Sequence, residues 1–230
     1  MKAIVRLGFA ALLVLLSAPL SRAVDPPRDH DITLDDYFTI GVITDAVLSP
    51  DGQFVAYVES RWEPPTETRN ADLWLVNVQT KDVRRLTFET GGDGSPAWSP
   101  DSKFIYFTAS RKREPADAPY NGKTQVWRVG LEGGEPSPVT RLPDGVGGFQ
   151  LSHDGRSLYY TQSKKNTDDL WKSLKEKYDK LDYGHGVESF TQIWKLDMVN
   201  WRSEKVVDEK RVITSWSVTR DERRIAMVTT

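Results

Sequence analysis

Val47-Leu48-Ser49-Pro50-Asp51-Gly52-Gln53-Phe54-Val55-Ala56-Tyr57-Val58 decides how the rest of this chain is read. It comprises an apolar approach, a tight-turn tetrapeptide and an alternating run, and the chain writes it four times. The second copy is Ala97-Trp98-Ser99-Pro100-Asp101-Ser102-Lys103-Phe104-Ile105-Tyr106-Phe107-Thr108 and the third is Gln150-Leu151-Ser152-His153-Asp154-Gly155-Arg156-Ser157-Leu158-Tyr159-Tyr160. The fourth is Trp216-Ser217-Val218-Thr219-Arg220-Asp221-Glu222-Arg223-Arg224-Ile225-Ala226-Met227-Val228. Proline presets φ at the second turn position, aspartate bonds its own backbone, and glycine closes a type I turn. After the turn, Phe54, Ala56 and Val58 face one way and Val55 and Tyr57 the other. Both sets are apolar, which predicts strands buried on both faces between stacked sheets.

A second element recurs downstream. Leu73-Trp74-Leu75, Val126-Trp127-Arg128 and Ile193-Trp194-Lys195 belong to strands that each precede a polar turn and a short outer strand, such as Val83–Thr87 or Pro138–Leu142. The tryptophans are expected to anchor the core. Each unit therefore has four strands, and units recurring every ~40–50 residues suit the blades of a β-propeller better than a helical solenoid. The predicted fold is all-β: a partial β-propeller of three full four-stranded blades plus half a fourth, near residues 44–90, 95–142, 147–207 and 212–230.

The turn aspartates Asp51, Asp101, Asp154 and Asp221 lie 50, 53 and 67 residues apart. The wide third interval is explained by a helical insertion over 167–181, where Leu170, Leu174, Tyr178 and Leu181 form one apolar stripe. Thr167 or Asp168 is placed to cap its start, and Gly184 and Gly186 follow its end.

The first residues read differently. Lys2 and Arg6 precede an apolar run from Leu7 to Leu16, and Ser21-Arg22-Ala23 offers the small residues of a cleavage site. Residues 1–23 are expected to be a secretory signal peptide, too short for a membrane span, with 24–43 a lead-in segment. The expected location is thus outside the cytoplasm, periplasmic or secreted, with no membrane span once the signal is removed. Losing the three basic leader residues leaves 28 basic against 33 acidic side chains, a net charge of −5. Such a surface argues against nucleic acid as a partner. The chain has no cysteine, so disulfides and thiolate chemistry are excluded. Arg84-Arg85, Arg223-Arg224 and Arg111-Lys112-Arg113 read as solvated turn charges.

These repeats, with the opening Ile32-Thr33-Leu34-Asp35-Asp36-Tyr37 and the inserted Tyr178–Gly186 segment running into Gln192–Asp197, resemble the N-terminal propeller of prolyl oligopeptidase-family serine peptidases. The dipeptidyl-peptidase and acylaminoacyl-peptidase branches are the most similar. The resemblance spans residues 31–230, although Ser-Pro-Asp-Gly turns also occur in TolB-type propellers. It implies a non-catalytic propeller that restricts the access of short peptides to an α/β-hydrolase domain, which would lie beyond residue 230. The implied partner is peptide substrate, met through that missing domain. The alternative is a TolB-like periplasmic propeller that binds protein and has no enzymatic activity. A sugar- or polymer-processing propeller lacks support, because no paired acidic site is visible.

No catalytic residue is expected within the chain. There is no Gly-x-Ser-x-Gly elbow, and the three histidines are His30, His153 and His185. His30 and His153 read as structural. His185, between two glycines, is the one substrate-contact candidate, with a backbone-bonding loop histidine as the plainer reading. No cofactor and no metal site is expected: there is no His-Glu-x-x-His, and the turn aspartates are a blade apart. Asp35-Asp36 reads as an acidic strand lead-in and Asp168-Asp169 as a helix N-terminus. The Glu-Glu pair with which the dipeptidyl branch holds a free amino terminus is absent, which leaves aminopeptidase specificity in doubt.

Overall fold

Each turn tetrapeptide folds its two flanking strands into an antiparallel pair. Three such pairs extend to four-stranded sheets. The computed structural model describes residues 31–166, 172–178 and 189–230. The first sheet runs β1 (Val42–Leu48), β2 (Phe54–Glu63), β3 (Thr68–Asn77), β4 (Val83–Arg85). The second runs β5 (Asp93–Trp98), β6 (Phe104–Ala109), β7 (Gln125–Gly130), β8 (Gly133–Pro138). The third runs β9 (Phe149–Leu151), β10 (Ser157–Lys165), β11 (Ser189–Asp197), β12 (Arg202–Val207), and a hairpin of β13 (Ile213–Val218) and β14 (Ile225–Thr229) follows. Strands pair in sequence order throughout, so each sheet is a simple meander. This is the partial propeller that the repeats predict.

The turns are built alike. Ser49, Ser99, Ser152 and Thr219 each donate their hydroxyl to the aspartate two residues on, at 2.6–2.7 Å. The same carboxylates accept the backbone N–H of Gln53, Lys103, Arg156 and Arg223 at 3.0–3.2 Å. Both contacts favour the charged form and hold the four aspartates below the ordinary carboxylate value. The residue after each aspartate is left-handed. Gly52 and Gly155 have φ of 72° and 70°, where Ser102 and Glu222 have 58° and 56°. Successive turns also touch, for the Asp51 N–H donates to Ser102 Oγ at 3.2 Å.

Alternation along the central strands divides the core between neighbouring gaps. Ile105 and Phe107 pack with Ala56, Val58, Leu73 and Leu75 between the first and second sheets. Tyr106 turns the other way and joins Leu158, Tyr160 and Leu196 between the second and third. Tyr159 turns again, to Ile193, Ile213 and Val218 against the hairpin. Among the repeated tryptophans only Trp127 is fully buried, at 1% exposure. Trp74 and Trp194 are half-buried. Trp74 stacks on Tyr57, 6.3 Å between centroids, on the face of the first sheet that no other described sheet covers. The anchoring role thus holds in full at Trp127 alone, for Trp194 packs against the cluster between the second and third sheets and is still only half-buried.

One local expectation changes. Asp35 and Asp36 lie in the first turn of a helix, α1 (Leu34–Thr39), and not in a strand lead-in. The Asp36 carboxylate accepts the backbone N–H and the hydroxyl of Thr33, at 2.6 and 2.9 Å, which is what an acidic residue at a helix start can do. A second short helix, α2 (Lys172–Lys177), falls between β10 and β11, where the insertion is expected.

Candidate functional site

The strand ends opposite the repeated turns carry the charged residues that the sequence pattern leaves unexplained. Two repeat positions fall there. One is the polar residue two before each repeated tryptophan: Asp72, Gln125 and Gln192, all buried. The other is a basic residue ten after each turn aspartate: Arg61, Arg111 and Lys164. β3, β7 and β11 carry the first set, and the ends of β2, β6 and β10 deliver the second.

In the second sheet the glutamine side of this corner is neutral and complete. Gln125 Oε1 accepts from Thr140 Oγ1 (2.8 Å) and Leu142 N (3.1 Å), and its Nε2 donates to Leu142 O (2.6 Å). Thr140 Oγ1 in turn accepts the Val126 N–H at 2.9 Å. In the third sheet Gln192 Nε2 donates instead to the Asp208 carboxylate at 2.5 Å.

The first sheet keeps the threonine but not the amide. Thr87 Oγ1 accepts the Leu73 N–H at 2.8 Å, as Thr140 does for Val126. Asp72 replaces the glutamine and pairs with Arg85 at 2.7 Å, and its Oδ1 has no hydrogen-bond partner. Beside it, Asp93 and Arg111 pair at 2.7 Å with side chains 0% and 2% exposed. Asp93 Oδ2 and Arg111 Nη1 lack hydrogen-bond partners, the latter lying 4.0 Å from Glu89. Burial outweighs the attraction of Arg111 and pushes the Asp93 carboxyl up to about 7, while burial also raises Asp72 despite Arg85. The Arg111 guanidinium lies over the Trp127 ring, 5.6 Å from its centroid. Further out, Arg113 binds both Glu89 and Glu135, and Asn70 Nδ2 donates to Glu63 Oε1 and to the Glu89 carbonyl.

Arg85 and Arg111 are therefore not solvated turn charges. Charge runs in turns usually are solvated, and nothing local separates these two. The available signal was the repeat register, which aligns Arg111 with Arg61 and Lys164 and sets Asp72 against two glutamines.

Chemically, the cluster can hold a proton on Asp93 near neutral pH, and its two ion pairs tie together strands within each sheet, Asp72–Arg85 in the first and Asp93–Arg111 in the second. No serine or histidine lies within it to be activated. Among the described residues, no group of three or more histidines, cysteines, aspartates and glutamates could hold a metal ion. His153 occupies the turn position that proline takes in the first two repeats and is exposed. His185, His30 and Asp168-Asp169 lie outside the described residues.

Stacked four-stranded meanders with repeated turn chemistry define part of a propeller, and comparison with known proteins finds chains similar to it. The chain is 29% identical over 154 residues to the peptidase YuxL of Bacillus subtilis, covering 66% of this chain and 22% of that protein. It is 24% identical to dipeptidyl-peptidase 5 of Porphyromonas gingivalis, covering 76% of this chain and 24% of the relative. A shorter match, 34% identical over 82 residues, is to the Tol-Pal system protein TolB of Nitratidesulfovibrio vulgaris, covering 35% of this chain and 19% of TolB. Among solved structures, the acylaminoacyl peptidase of Pyrococcus horikoshii superposes with a TM-score of 0.51 at 15% identity, over 75% of this chain and 25% of that one. No family model matches the sequence. Its homologues include peptidases, and the chain is similar to a propeller portion of them, spanning under a quarter of the two peptidases' lengths.

Proposed function

We infer that this chain is the non-catalytic propeller portion of an exported serine peptidase, restricting the access of short peptides to a hydrolase domain encoded beyond residue 230. The observation that carries the reading is the way the peptidase matches fall. They cover 66% and 76% of this chain yet only 22% and 24% of the relatives, which leaves room there for a further domain. A propeller discriminates by size: a narrow, rigid passage admits an extended peptide and excludes a folded one, whose unfolding would cost several kcal/mol.

The reading frame past Thr230 tests this directly. A peptidase has further blades and then Gly-x-Ser-x-Gly, followed in order by Asp and His. A stop after a closing blade would defeat the reading and leave a TolB-like periplasmic propeller that binds protein without activity, the reading favoured by the 34% match to TolB. Export is tested by N-terminal sequencing of the periplasmic fraction and medium, where a mature chain starting at Val24 is expected. An unprocessed chain confined to the cytoplasm would count against it. If the passage filters, the full-length protein cleaves short peptides and spares a folded substrate containing the same bond.

A further inference from the structure

The second and third sheets part at their outer edges to leave a cleft of about 480 Å³, away from the charged cluster. Its floor is apolar, with Val139, Leu142 and Leu196. Its polar lining is one-sided in charge: Arg128, Arg141, Ser137 and Ser203, with no carboxylate. Arg128 lies over the Phe104 ring, 5.1 Å from its centroid, which holds its guanidinium in place. Neither Arg128 nor Arg141 makes an ion pair with any described residue, although the chain carries more acidic than basic side chains.

At the mouth stands Trp201, 55% exposed. It occupies the left-handed position of the β11–β12 turn, with φ of 55°. The same turn in the first sheet places Lys81 there, at φ 67°, and the shorter turn of the second sheet uses Gly133 and Gly134. Asp197 accepts the Val199 and Asn200 N–H groups as Asn77 accepts those of Gln79 and Thr80, so the turn imposes the conformation whatever residue follows. A tryptophan is a costly choice at such a position, because an L side chain there crowds its own carbonyl and a large apolar surface is left in water. The corresponding gap between the first and second sheets differs. There Arg84 donates to the Leu131 carbonyl and faces Glu132, so its cation is already partnered.

We propose that the cleft between the second and third sheets is a docking site for an acidic polypeptide segment that carries an apolar or aromatic side chain beside its carboxylate. Arg128 and Arg141 meet the carboxylate, Ser137 and Ser203 add hydroxyl donors, and Trp201 covers the apolar side chain. A peptide suits the walls better than a free anion. β8 and β12 are both edge strands, each with one side of its backbone unpaired, and an extended chain can bond to either. General charge attraction does not account for such binding, since the protein's net charge is −2.

Calorimetric titration of the full chain with a capped hexapeptide alternating glutamate and phenylalanine tests the site, with the glutamine–phenylalanine peptide as control. Saturable binding of the acidic peptide is expected, at least about tenfold tighter than the control, with a similar loss in an R128Q/R141Q variant. W201G is expected to lose affinity while its Tm is unchanged or raised, because glycine relieves the left-handed turn; this separates docking from folding. Equal binding of both peptides, parental affinity in R128Q/R141Q or W201G, or no saturable binding would each overturn the proposal. So would a short oligonucleotide that binds more tightly than the acidic peptide.

Discussion

The junction between the first and second sheets and the junction between the second and third solve one problem with opposite chemistry. Both must seal the corner where a central strand meets the segment after the outer strand. The later junction does so with Gln125 and Thr140, every polar atom of the amide being matched. The earlier one uses Asp72–Arg85 and Asp93–Arg111 and leaves three buried atoms of these residues without hydrogen bonds. Neutral amides seal the corner at little desolvation cost. Buried ions seal it only while both partners are present, since removing either strands the other. The first junction is therefore the more brittle to substitution, and it is the one sensitive to pH.

The largest effect should come from breaking the buried pair. R111A is expected to cost up to about 3–5 kcal/mol in urea unfolding at pH 8, because Asp93 is left buried without its cation and must either stay charged there or take up a proton from solution. Replacing both partners with apolar residues, as D93L/R111M, should recover most of that loss or exceed the parent. If the double variant is no better than R111A, the pair does more than neutralise itself. Q125L on the neutral side should cost about 2 kcal/mol, the price of leaving Leu142 N and O unmatched. A Q125L loss equal to that of R111A would erase the contrast between the junctions.

The pH response follows from Asp93. Its carboxyl keeps its proton to about pH 7 when folded and releases it near the ordinary value of about 3.9 when unfolded. The folded state therefore holds the extra proton between those limits. The contribution to stability is full below about pH 4 and drains away as pH rises to about 7, at up to about 1.4 kcal/mol per unit. D93N should flatten unfolding free energy against pH across that window. The turn aspartates act oppositely: their lowered values stabilise above about pH 4, and that contribution fades as acid protonates them. A D93N profile as steep as the parent's would assign the slope elsewhere.

The fold was legible because its determinants are local and repeated. Ser49, Asp51 and Gly52 state the turn chemistry within four residues, and Ile105-Tyr106-Phe107 shows both faces apolar. Helix α1 was missed because its signal is one capping contact, Thr33 with Asp36, in a six-residue stretch without an apolar stripe. The charged cluster was illegible for a different reason. Arg111 and Asp93 are 18 residues apart and meet only because β6 returns beside β5, so burial and pairing depend on topology. Trp201 was hidden likewise, its left-handed conformation being set by Asp197 rather than by its own identity. His185 remains a sequence expectation.

The smallest effect concerns the outer edges, where the first gap is bridged by Arg84 and the second is open. Glu132 is 95% exposed and 3.8 Å from Arg84, so solvent screens that ion pair to almost nothing. What remains is the hydrogen bond from Arg84 to the Leu131 carbonyl, itself replaceable by water. R84S, which gives the first sheet the serine that the second carries at Ser137, should therefore cost under about 1 kcal/mol in urea unfolding. That outcome would mean that bridging contributes little to holding sheets together, so the open second gap reflects no difference in stability. A loss of about 2 kcal/mol or more would make Arg84 a structural brace, and the unbridged second cleft would then be a weak point of the fold rather than a place kept free for a ligand.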